Sequence, residues 1–403
     1  MLIALAVIVG VVVVIAAPFL LLTPRSPKPA GPIATPADLD AWLAALTANQ
    51  TPPALDVMVL KNGAVVYAKA FGIADGPGGK PAAAGGVYHF WSVTKLFTAT
   101  AVMALAEDGK IGLDDRVTRY LPDFVTSFRG NPTPVTVRQL LTHTAGMKNL
   151  GPGDLLGWIH HENEPPVSQT ALVRDRMTPY RALAAAPGSA GAYSNAGYIV
   201  LGAIVEAASG MGFEDFVRAR ILAPLKMTSS AFLYSPELAA RAVAGSHPLF
   251  HLYTPLLLMI HRDWFSAWVS KVERRRMWLR PLYTDYTGPT GLLGSGADLA
   301  RFGEAFLEGG ALDGARILKP ETVAAMLDDG YGGNTGPDKD RMGLGWHWWN
   351  DAPIPFKGHG GDGPGFGAQL AIFPDQKMVV VVLANDTLID RVGLTEAIAG
   401  VFR

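Results

Sequence analysis

Two segments of the chain have the hydrophobic pattern of paired β-strands. In the first, DVMVLKNGAVVYAKAFG at residues 56–72, apolar and polar residues alternate on both sides of Asn62-Gly63, a pair that favours a tight hairpin turn. In the second, AQLAIFP (368–374) and MVVVVLAN (378–385) flank a polar Asp-Gln-Lys turn. The pattern predicts two antiparallel strand pairs, one near each end of the folded part.

Helical patterns fill most of the chain between these strands. An amphipathic segment at 36–48 precedes the first hairpin, and a helical tail is predicted over 388–402. GYIVLGAIVEAASG (197–210) and ADLARFGEAFLEGG (297–310) are apolar helical segments that end in glycine, as helices commonly do. Strands at both ends with helices between them predict an α+β fold, in which an antiparallel sheet is covered by helices.

The N-terminus has the composition of a membrane helix. Residues 1–22, MLIALAVIVGVVVVIAAPFLLL, carry no charged side chain and are long enough to cross a bilayer. An uncleaved anchor is favoured over a signal peptide, because no basic residue precedes the run and no small-residue cleavage site directly follows it. By a strict count under the positive-inside rule, Arg25 and Lys28 would keep the remainder of the chain in the cytoplasm. The Pro-rich segment 23–36 is interpreted as a spacer.

The segment 251–280 differs in composition from its surroundings, since it is rich in tryptophan and arginine. One helix face is predicted to carry Trp264, Trp268, Val272 and Leu279, with Lys271 and Arg274 to Arg276 beside it. Two interpretations stay open: a core-facing helix with a solvated basic edge, or an interfacial membrane contact by residues 264–279. The apolar run is too short to span a bilayer.

Composition narrows the function classes. The 403 residues have a net charge of −1 and no long basic run, so we expect no nucleic-acid partner. Cysteine is absent, which excludes disulfides, thiolate metal sites and a cysteine nucleophile. His160-His161-Glu162 is interpreted as a solvated loop rather than a metal site, and no metal or cofactor is expected.

Lys95 is the one formal charge between Lys80 and Glu107, in a run of apolar, small and hydroxyl residues. If a helix covers residues 92–108, Ser92 lies at its N-terminus and Lys95 lies one turn later on the same face. Burial depresses the pKa of an unpaired lysine, and a neutral amine can accept a proton. Helix N-terminal N–H groups favour an alkoxide and a neighbouring oxyanion. Ser-x-x-Lys therefore predicts an activated serine nucleophile.

Two further motifs add polar groups. Tyr193-Ser194-Asn195 ends a Pro/Gly/Ser-rich loop before an apolar helix, although Ser194 or Asn195 could simply cap that helix. In KGHGGDGPGFG (357–367) the glycines leave a predicted strand edge without side chains. A ligand could therefore approach the backbone closely next to His359. The G-x-G-x-x-G within it lacks a βαβ context, so a dinucleotide site is rejected. No G-x-S-x-G elbow is present.

Ser92-x-x-Lys95, Tyr193-x-Asn195 and His359-x-Gly361, in this order after a hairpin, resemble the serine β-lactamase and penicillin-binding-protein-like superfamily, and its class C branch in particular. The phrases LLTHTAG (140–146), ILAPLKMTSSAF (221–232) and MGLGW (342–346) are also similar to that family. The resemblance covers about residue 38 to the C-terminus. It implies one hydrolase domain over 37–403, with a sheet region at about 37–108 and 285–403 and a helical region at about 109–284.

The resemblance also implies roles for residues in the cleft between these regions. Ser92 would be the acylated nucleophile, Lys95 its proton partner and Tyr193 a general base and then acid. Asn195, His359 and Gly361 would bind substrate. Backbone N–H groups of Ser92 and Asp362 would form an oxyanion hole. The implied location of this site is extracytoplasmic, at the periplasm or cell surface.

The third motif departs from the family pattern. Penicillin-recognising members carry Lys-Thr/Ser-Gly there, whereas His359-Gly360-Gly361 has neither a permanent charge nor a hydroxyl. This favours a small ester, amide or peptide substrate without an obligatory carboxylate. We therefore expect an esterase-type serine hydrolase. The alternatives are a DD-peptidase or D-aminopeptidase, a weak β-lactamase, and a catalytically slow, membrane-tethered binding protein.

Overall fold

The computed structural model describes residues 25–76, 78–189, 191–251, 254, 264–328, 333–334 and 341–403. The predicted anchor at residues 1–22 lies outside the described residues. Over the residues that are described, no single helix is long and apolar enough to cross a membrane, whereas one bent pair, Asn195–Ser209 with Phe213–Leu222 at 76°, passes by length and composition.

Twelve α-helices are described. They are α1 (Pro36–Ala48), α2 (Thr94–Glu107), α3 (Val137–Leu141), α4 (Pro152–Gly157), α5 (Gln169–Arg176), α6 (Asn195–Ser209), α7 (Phe213–Val217), α8 (Pro236–Ala239), α9 (Trp264–Trp268), α10 (Gly296–Leu307), α11 (Pro320–Leu327) and α12 (Arg391–Phe402). Short 3₁₀ turns cover Trp91–Val93, Val117–Arg119 and Thr178–Tyr180, and a π-turn covers Arg218–Leu222.

The strands fall into one large sheet and several small ones. They are β1 (Ala54–Lys61), β2 (Ala64–Gly72), β3 (Tyr88–His89), β4 (Ser127–Phe128), β5 (Asn131–Pro132), β6 (Ile159–His160), β7 (Ser246–Pro248), β8 (Val269–Glu273), β9 (Arg276–Leu279), β10 (Tyr283–Thr284), β11 (Leu293–Gly294), β12 (Ala311–Leu312), β13 (Ala315–Arg316), β14 (Gly333–Asn334), β15 (Arg341–Met342), β16 (His347–Trp349), β17 (Phe356–Gly363), β18 (Phe366–Phe373) and β19 (Met378–Ala384).

The large sheet joins the two ends of the chain. Its order is β14-β15-β16-β17-β18-β19-β1-β2, with every neighbouring pair antiparallel. The β1–β2 turn contains Asn62 and Gly63, both with positive φ, as the Asn-Gly pair predicted. The pairing of β1 with β19 sets Val57 opposite Val382. Strands distant in sequence thus form one continuous sheet, and the site is built on this sheet.

Helices cover both faces of this sheet, as the α+β prediction requires. On one face, Leu39 and Leu43 of α1 and Ile398 of α12 pack with buried side chains of β1 and β19. On the other, α10 and α2 pack against the sheet, and Phe97 and Phe302 stack with ring centroids 4.1 Å apart. The Pro-rich segment contacts α1, because Trp42 Nε1 donates to the carbonyl of Pro27 over 3.1 Å.

The single helix face predicted within 251–280 is wrong. After the short α9, the chain forms a hairpin of β8 and β9, with Arg274 and Arg275 at positive φ in its turn. Val272 is therefore exposed while Leu279 is buried. Arg276, which was expected on a solvated edge, is 1% exposed and pairs with Asp386 over 2.8 Å. That partner lies 110 residues downstream, so no local pattern could indicate it.

Candidate active site

The predicted nucleophile lies on a strained turn rather than inside a helix. We call Trp91–Val93, a 3₁₀ turn, the nucleophile turn; α2 starts after it at Thr94 and not at residue 92 as expected. Trp91 has φ 47°, an uncommon conformation for a bulky side chain and one that often marks functional sites. Trp91 and Val93 are buried, whereas Ser92 is partly exposed. The turn thus presents one hydroxyl to the cleft.

Lys95 is fully buried and surrounded by neutral oxygen atoms. Its Nζ lies 3.0 Å from Ser92 Oγ, 2.7 Å from Asn195 Oδ1 and 3.0 Å from the Pro289 carbonyl oxygen. Among the described residues it makes no ion pair, and burial holds its pKa well below the ordinary value of lysine. A neutral amine would donate two N–H groups to Asn195 and Pro289, which leaves its lone pair for the Ser92 hydroxyl.

The N-terminus of α6 supplies the second motif. Ser194 caps this helix by accepting from the Gly197 N–H, so the capping interpretation holds for Ser194. Asn195 is the first helical residue, and its side chain points to Lys95 instead. Its amide nitrogen has no hydrogen-bond partner among the described residues and is available to a substrate. Tyr193 precedes the cap and lies under the amine, with Lys95 Nζ 4.8 Å from the ring centroid.

The pKa values of Lys95 and Tyr193 are displaced in opposite directions. Burial lowers the pKa of the Lys95 ammonium, because the charged form loses hydration. Burial also raises the pKa of the Tyr193 phenol above its usual range, and a hydrogen bond with Ser92 offsets only part of this rise. At neutral pH the arrangement therefore favours a neutral phenol beside an amine that readily gives up its proton. One group is suited to donate a proton and the other to accept one.

The glycine-rich third motif forms the inner half of β17. Phe356–Gly358 pair with β16 on one side, whereas residues 359–363 pair only with β18. The nucleophile turn lies against one face of this half. A β-carbon at Gly361 would lie 2.0 Å from the Phe90 carbonyl oxygen and 3.1 Å from the Ser92 nitrogen. On this face the space at Gly361 is occupied by the protein's own backbone, and the approach of a ligand to the backbone next to His359 stays a prediction.

Gly361 thus allows strand and turn to approach closely, and this brings the predicted oxyanion donors at Ser92 and Asp362 to neighbouring positions. A β-carbon at Gly363 would similarly meet the Trp91 ring at 2.3 Å. His359 is buried at 2% exposure, and its Nδ1 donates to the Gly360 carbonyl over 2.6 Å. Its Nε2 has no partner among the described residues. Burial lowers the pKa of His359 well below its usual value, so the ring is neutral.

Arg391 is a cation near the site that sequence reasoning missed. It lies on the opposite face of β17 from Ser92, since a β-carbon at Gly360 would meet its guanidinium carbon at 2.4 Å. Its Nη2 bonds to Asp362 over 2.6 Å, so its charge is compensated. The two charges act on Tyr193 in opposite senses, Asp362 raising its pKa and Arg391 lowering it. The third motif therefore presents no uncompensated cation to the Ser92 side.

Two further histidines, also missed, enclose the phenol. His143 stacks on Tyr193 with ring centroids 4.7 Å apart, and its Nδ1 accepts from the Ser194 N–H over 3.0 Å. His347 approaches the same ring edge-on at 6.2 Å and lies 4.2 Å from His359. Burial lowers the pKa of both histidines. The available signal was their position, because His143 is part of LLTHTAG and His347 directly follows MGLGW.

Over the part of the chain that the structure describes, no set of three histidine or carboxylate side chains has the arrangement of a metal site. His160 instead pairs its ring with Tyr283 and lies 3.8 Å from Asp285.

Comparisons with known proteins identify the family and the fold. The family model described as Beta-lactamase matches residues 39–400. Penicillin-binding protein 4* of Bacillus subtilis (strain 168) is 26% identical over 337 residues, which cover 82% of this chain and 67% of that protein. An octameric penicillin-binding protein homologue from Pyrococcus abyssi superimposes with a TM-score of 0.68 at 26% identity, over 87% of this chain and 73% of the other.

EstCE1, described as a hydrolase with promiscuous acyltransferase activity, has the same fold. Its TM-score is 0.69 at 22% identity, over 91% of this chain and 98% of the other.

Proposed function

Because the chain belongs to the Beta-lactamase family and is a serine hydrolase of ester or amide bonds, we propose that it is an esterase that acts through an acyl-Ser92 intermediate. One observation carries this proposal. Lys95 is buried, has no counter-ion among the described residues, and lies 3.0 Å from a partly exposed serine hydroxyl. An amine that is neutral at working pH and within hydrogen-bond distance of a hydroxyl activates it as a nucleophile.

We assign the first proton transfer to Lys95. The Ser92 hydroxyl proton passes to Nζ while Oγ forms a bond to the substrate carbonyl carbon. Backbone N–H groups of Ser92 and Asp362 are the proposed donors to the resulting oxyanion. When the tetrahedral adduct collapses, the bond to the leaving oxygen breaks and the Tyr193 phenol protonates that oxygen. The proton on Lys95 then returns to the tyrosinate beside it, which restores both neutral groups.

Hydrolysis of the acyl-enzyme repeats this chemistry with water. A water molecule gives one proton to Lys95 while its oxygen forms a bond to the acyl carbon. When this second adduct collapses, the bond to Ser92 Oγ breaks and Lys95 returns the proton to Oγ. Asn195 has two roles in this scheme. Its carbonyl oxygen orients Lys95, and its free amide nitrogen donates to the substrate.

The substrate class follows from the third motif. Recognition of a carboxylate needs a cation that is free to pair, whereas His359 is neutral and Asp362 compensates Arg391. An uncharged ester suits this surface better than a peptide or β-lactam that presents a carboxylate. The peptidase, D-aminopeptidase and weak β-lactamase activities are therefore the less favoured alternatives.

Turnover assays test the proposal directly. We expect the purified protein to hydrolyse p-nitrophenyl butyrate, with much slower release of D-alanine from D-alanyl-D-alanine peptides and of product from nitrocefin. Ser92→Ala should remove ester turnover, whereas Ser270→Ala, a matched change at an exposed serine on β8, should not. Intact-mass analysis after a fluorophosphonate should show one adduct on the wild type and none on Ser92→Ala.

Each alternative has its own outcome. Preferred turnover of the D-alanyl peptide would replace the esterase assignment with the peptidase. Stable labelling by penicillin would favour a cell-wall enzyme. Labelling without turnover of any substrate would favour the slow binding protein, and turnover that survives Ser92→Ala would refute the nucleophile.

We also propose that the hydrolase is held at a membrane with its site outside the cytoplasm, through residues 1–22. A surface formed by Phe265, Lys271, Val272, Arg274 and Arg275 would add a peripheral contact. Phe265 and Val272 are 41% and 45% exposed beside the three basic residues, a combination that suits an anionic interface. Replacing Arg274 and Arg275 by Gln should weaken binding to anionic vesicles but not to neutral ones. Equal binding of the variant and the wild type to anionic vesicles would refute this contact.

A further inference from the structure

A cavity of about 490 Å³ lies at the far end of α6 from Ser92. It is bounded by the loop around Phe124, by α5 and by the C-terminal end of α6. Asn195 and Ala207 are twelve residues apart on α6, which separates the cavity from the site by about 18 Å along the helix. The volume is within the range of small-molecule pockets. Nothing in the proposed reaction uses this cavity.

The walls of the cavity are largely apolar. Leu121, Phe124 and Val173 contribute buried side chains, and Met211, 40% exposed, lies at the rim. An open space with such walls favours a ligand with a hydrocarbon or aromatic body, because filling it removes apolar surface of both partners from water.

One wall carries a guanidinium without a counter-ion. Arg181 lines the cavity, makes no ion pair with any described residue, and has a buried Nε without a hydrogen-bond partner. Its guanidinium carbon lies 5.5 Å from the centroid of the Phe124 ring. Its backbone is held as well, because the Arg181 carbonyl accepts from the Ser127 N–H over 2.9 Å. The cation is therefore oriented in advance, and a buried unpaired donor of this kind costs free energy until it is bonded.

Neither carboxylate that lines the cavity, Asp123 or Glu206, makes an ion pair with Arg181 among the described residues. Glu206 lines the same cavity, but its two oxygens accept from the Gln169 N–H, the Thr170 N–H and the Thr170 hydroxyl over 2.6–2.8 Å. These bonds cap the N-terminus of α5 and hold Glu206 in place. The other arginine at the cavity, Arg174, is bonded to Asp175 through two nitrogen atoms. Arg181 alone combines an orphaned donor with the apolar walls.

We propose that this cavity binds a small organic anion, a carboxylate on an apolar body, with its charge on Arg181. The carboxylate would accept from the guanidinium, and the body would lie against Leu121, Phe124 and Val173. Because the cavity is separate from the Ser92 cleft, this site does not depend on the proposed esterase activity.

Calorimetric titration tests the site with 3-phenylpropionate and 5-phenylpentanoate as probes. The full-length protein is held in lipid nanodiscs, and empty nanodiscs give the baseline. We expect binding to tighten about 15-fold between the two acids, since they differ by two methylenes and each one buried is worth about fourfold in affinity. Arg181→Met should weaken 5-phenylpentanoate binding about 10- to 100-fold, the value of one charge-assisted contact.

Two matched variants locate the effect. Arg174→Met removes the same charge from the rim and should change affinity by less than about threefold, since Arg174 already has its own carboxylate. Ala207→Trp fills the cavity from an exposed helix position, with the catalytic cleft and both arginines unchanged, and should abolish binding. The uncharged 5-phenylpentanol should bind wild type and Arg181→Met equally, which shows that the pocket survives the substitution.

Any of three results would overturn the proposal: no binding above the empty-nanodisc baseline, equal weakening by the two arginine substitutions, or full binding to Ala207→Trp. The last result would place the acid elsewhere, the Ser92 cleft included. If the wild type shows no ester turnover, the esterase proposal fails, but the binding expected at this cavity is unchanged.

Discussion

Removing one oxygen atom from Tyr193 separates the roles of the two proton-transfer groups. Phenylalanine keeps the ring that stacks on His143 at 4.7 Å and lies below Lys95, so Tyr193→Phe deletes the hydroxyl and little else. The phenol pKa is raised above its ordinary value near 10, so fewer than about one molecule in a thousand carries a phenolate at pH 7. The deleted group is thus an acid, and its loss should matter when the leaving group needs a proton.

The expected magnitude depends on the leaving group. General acid catalysis contributes about 10²–10⁴-fold, so kcat/KM for an alkyl butyrate should fall by that factor in Tyr193→Phe. p-Nitrophenolate leaves without a proton, and its burst of release should change by less than about fivefold. Stopped-flow absorbance gives the burst, and a pH-stat gives alkyl ester turnover.

One result would contradict the assignment of Tyr193 as the acid. If Tyr193 were the base that takes the proton from Ser92, both esters would lose activity to the same extent, because nucleophile activation precedes leaving-group departure. Tyr120→Phe, a matched change at a phenol bonded to Asp115 outside the cleft, controls for general effects of losing a hydroxyl. Equal losses in Tyr193→Phe alone would transfer the role of base from Lys95 to Tyr193.

Three further expectations follow. Wild-type kcat/KM should rise with pH through a lysine pKa below 10.5, since only neutral Lys95 accepts a proton, and Lys95→Met should lose both activity and that pH profile. Gly361→Ala should abolish esterase activity by displacing the nucleophile turn, whereas Gly153→Ala, where nothing lies within 4 Å, should be neutral in the same assay. Arg276→Met leaves Asp386 buried and unpaired, so thermal unfolding should show about 3–5 kcal/mol of lost stability.

Local sequence rules predicted the parts of the fold that local physics determines. The Asn62-Gly63 turn needs positive φ at both residues, which this pair adopts readily, and the α6 segment ends at Gly210 with φ 74°. The hairpin β8–β9 was missed because β9, the central strand of the β7-β9-β8 sheet, is buried on both faces and does not alternate between apolar and polar residues. From sequence alone, a cation such as Arg276 is predicted to lie on the surface, because its partner is distant in the chain.

The candidate site divides in the same way. Ser92 and Lys95 are three residues apart, and one helical turn brings them together whatever the remainder of the fold does. Tyr193 required a family resemblance, because its approach to Lys95 depends on how α6 packs. Arg391 gave no signal in the sequence and His347 gave only its place directly after MGLGW, since neither has a characteristic spacing to Ser92 and their positions follow from the order of strands in the sheet.

The charge-free run around Lys95 has a physical meaning that the structure makes explicit. A carboxylate within a few ångströms would hold the amine as an ammonium, since an opposite charge raises the pKa of a lysine and stabilises the form that cannot accept a proton. The three oxygens that surround Nζ are a hydroxyl, an amide and a peptide carbonyl, all neutral. They position the nitrogen by hydrogen bonds without stabilising its charge as a carboxylate would. The absence of acidic residues from this stretch of sequence is therefore part of the requirement for a lysine base.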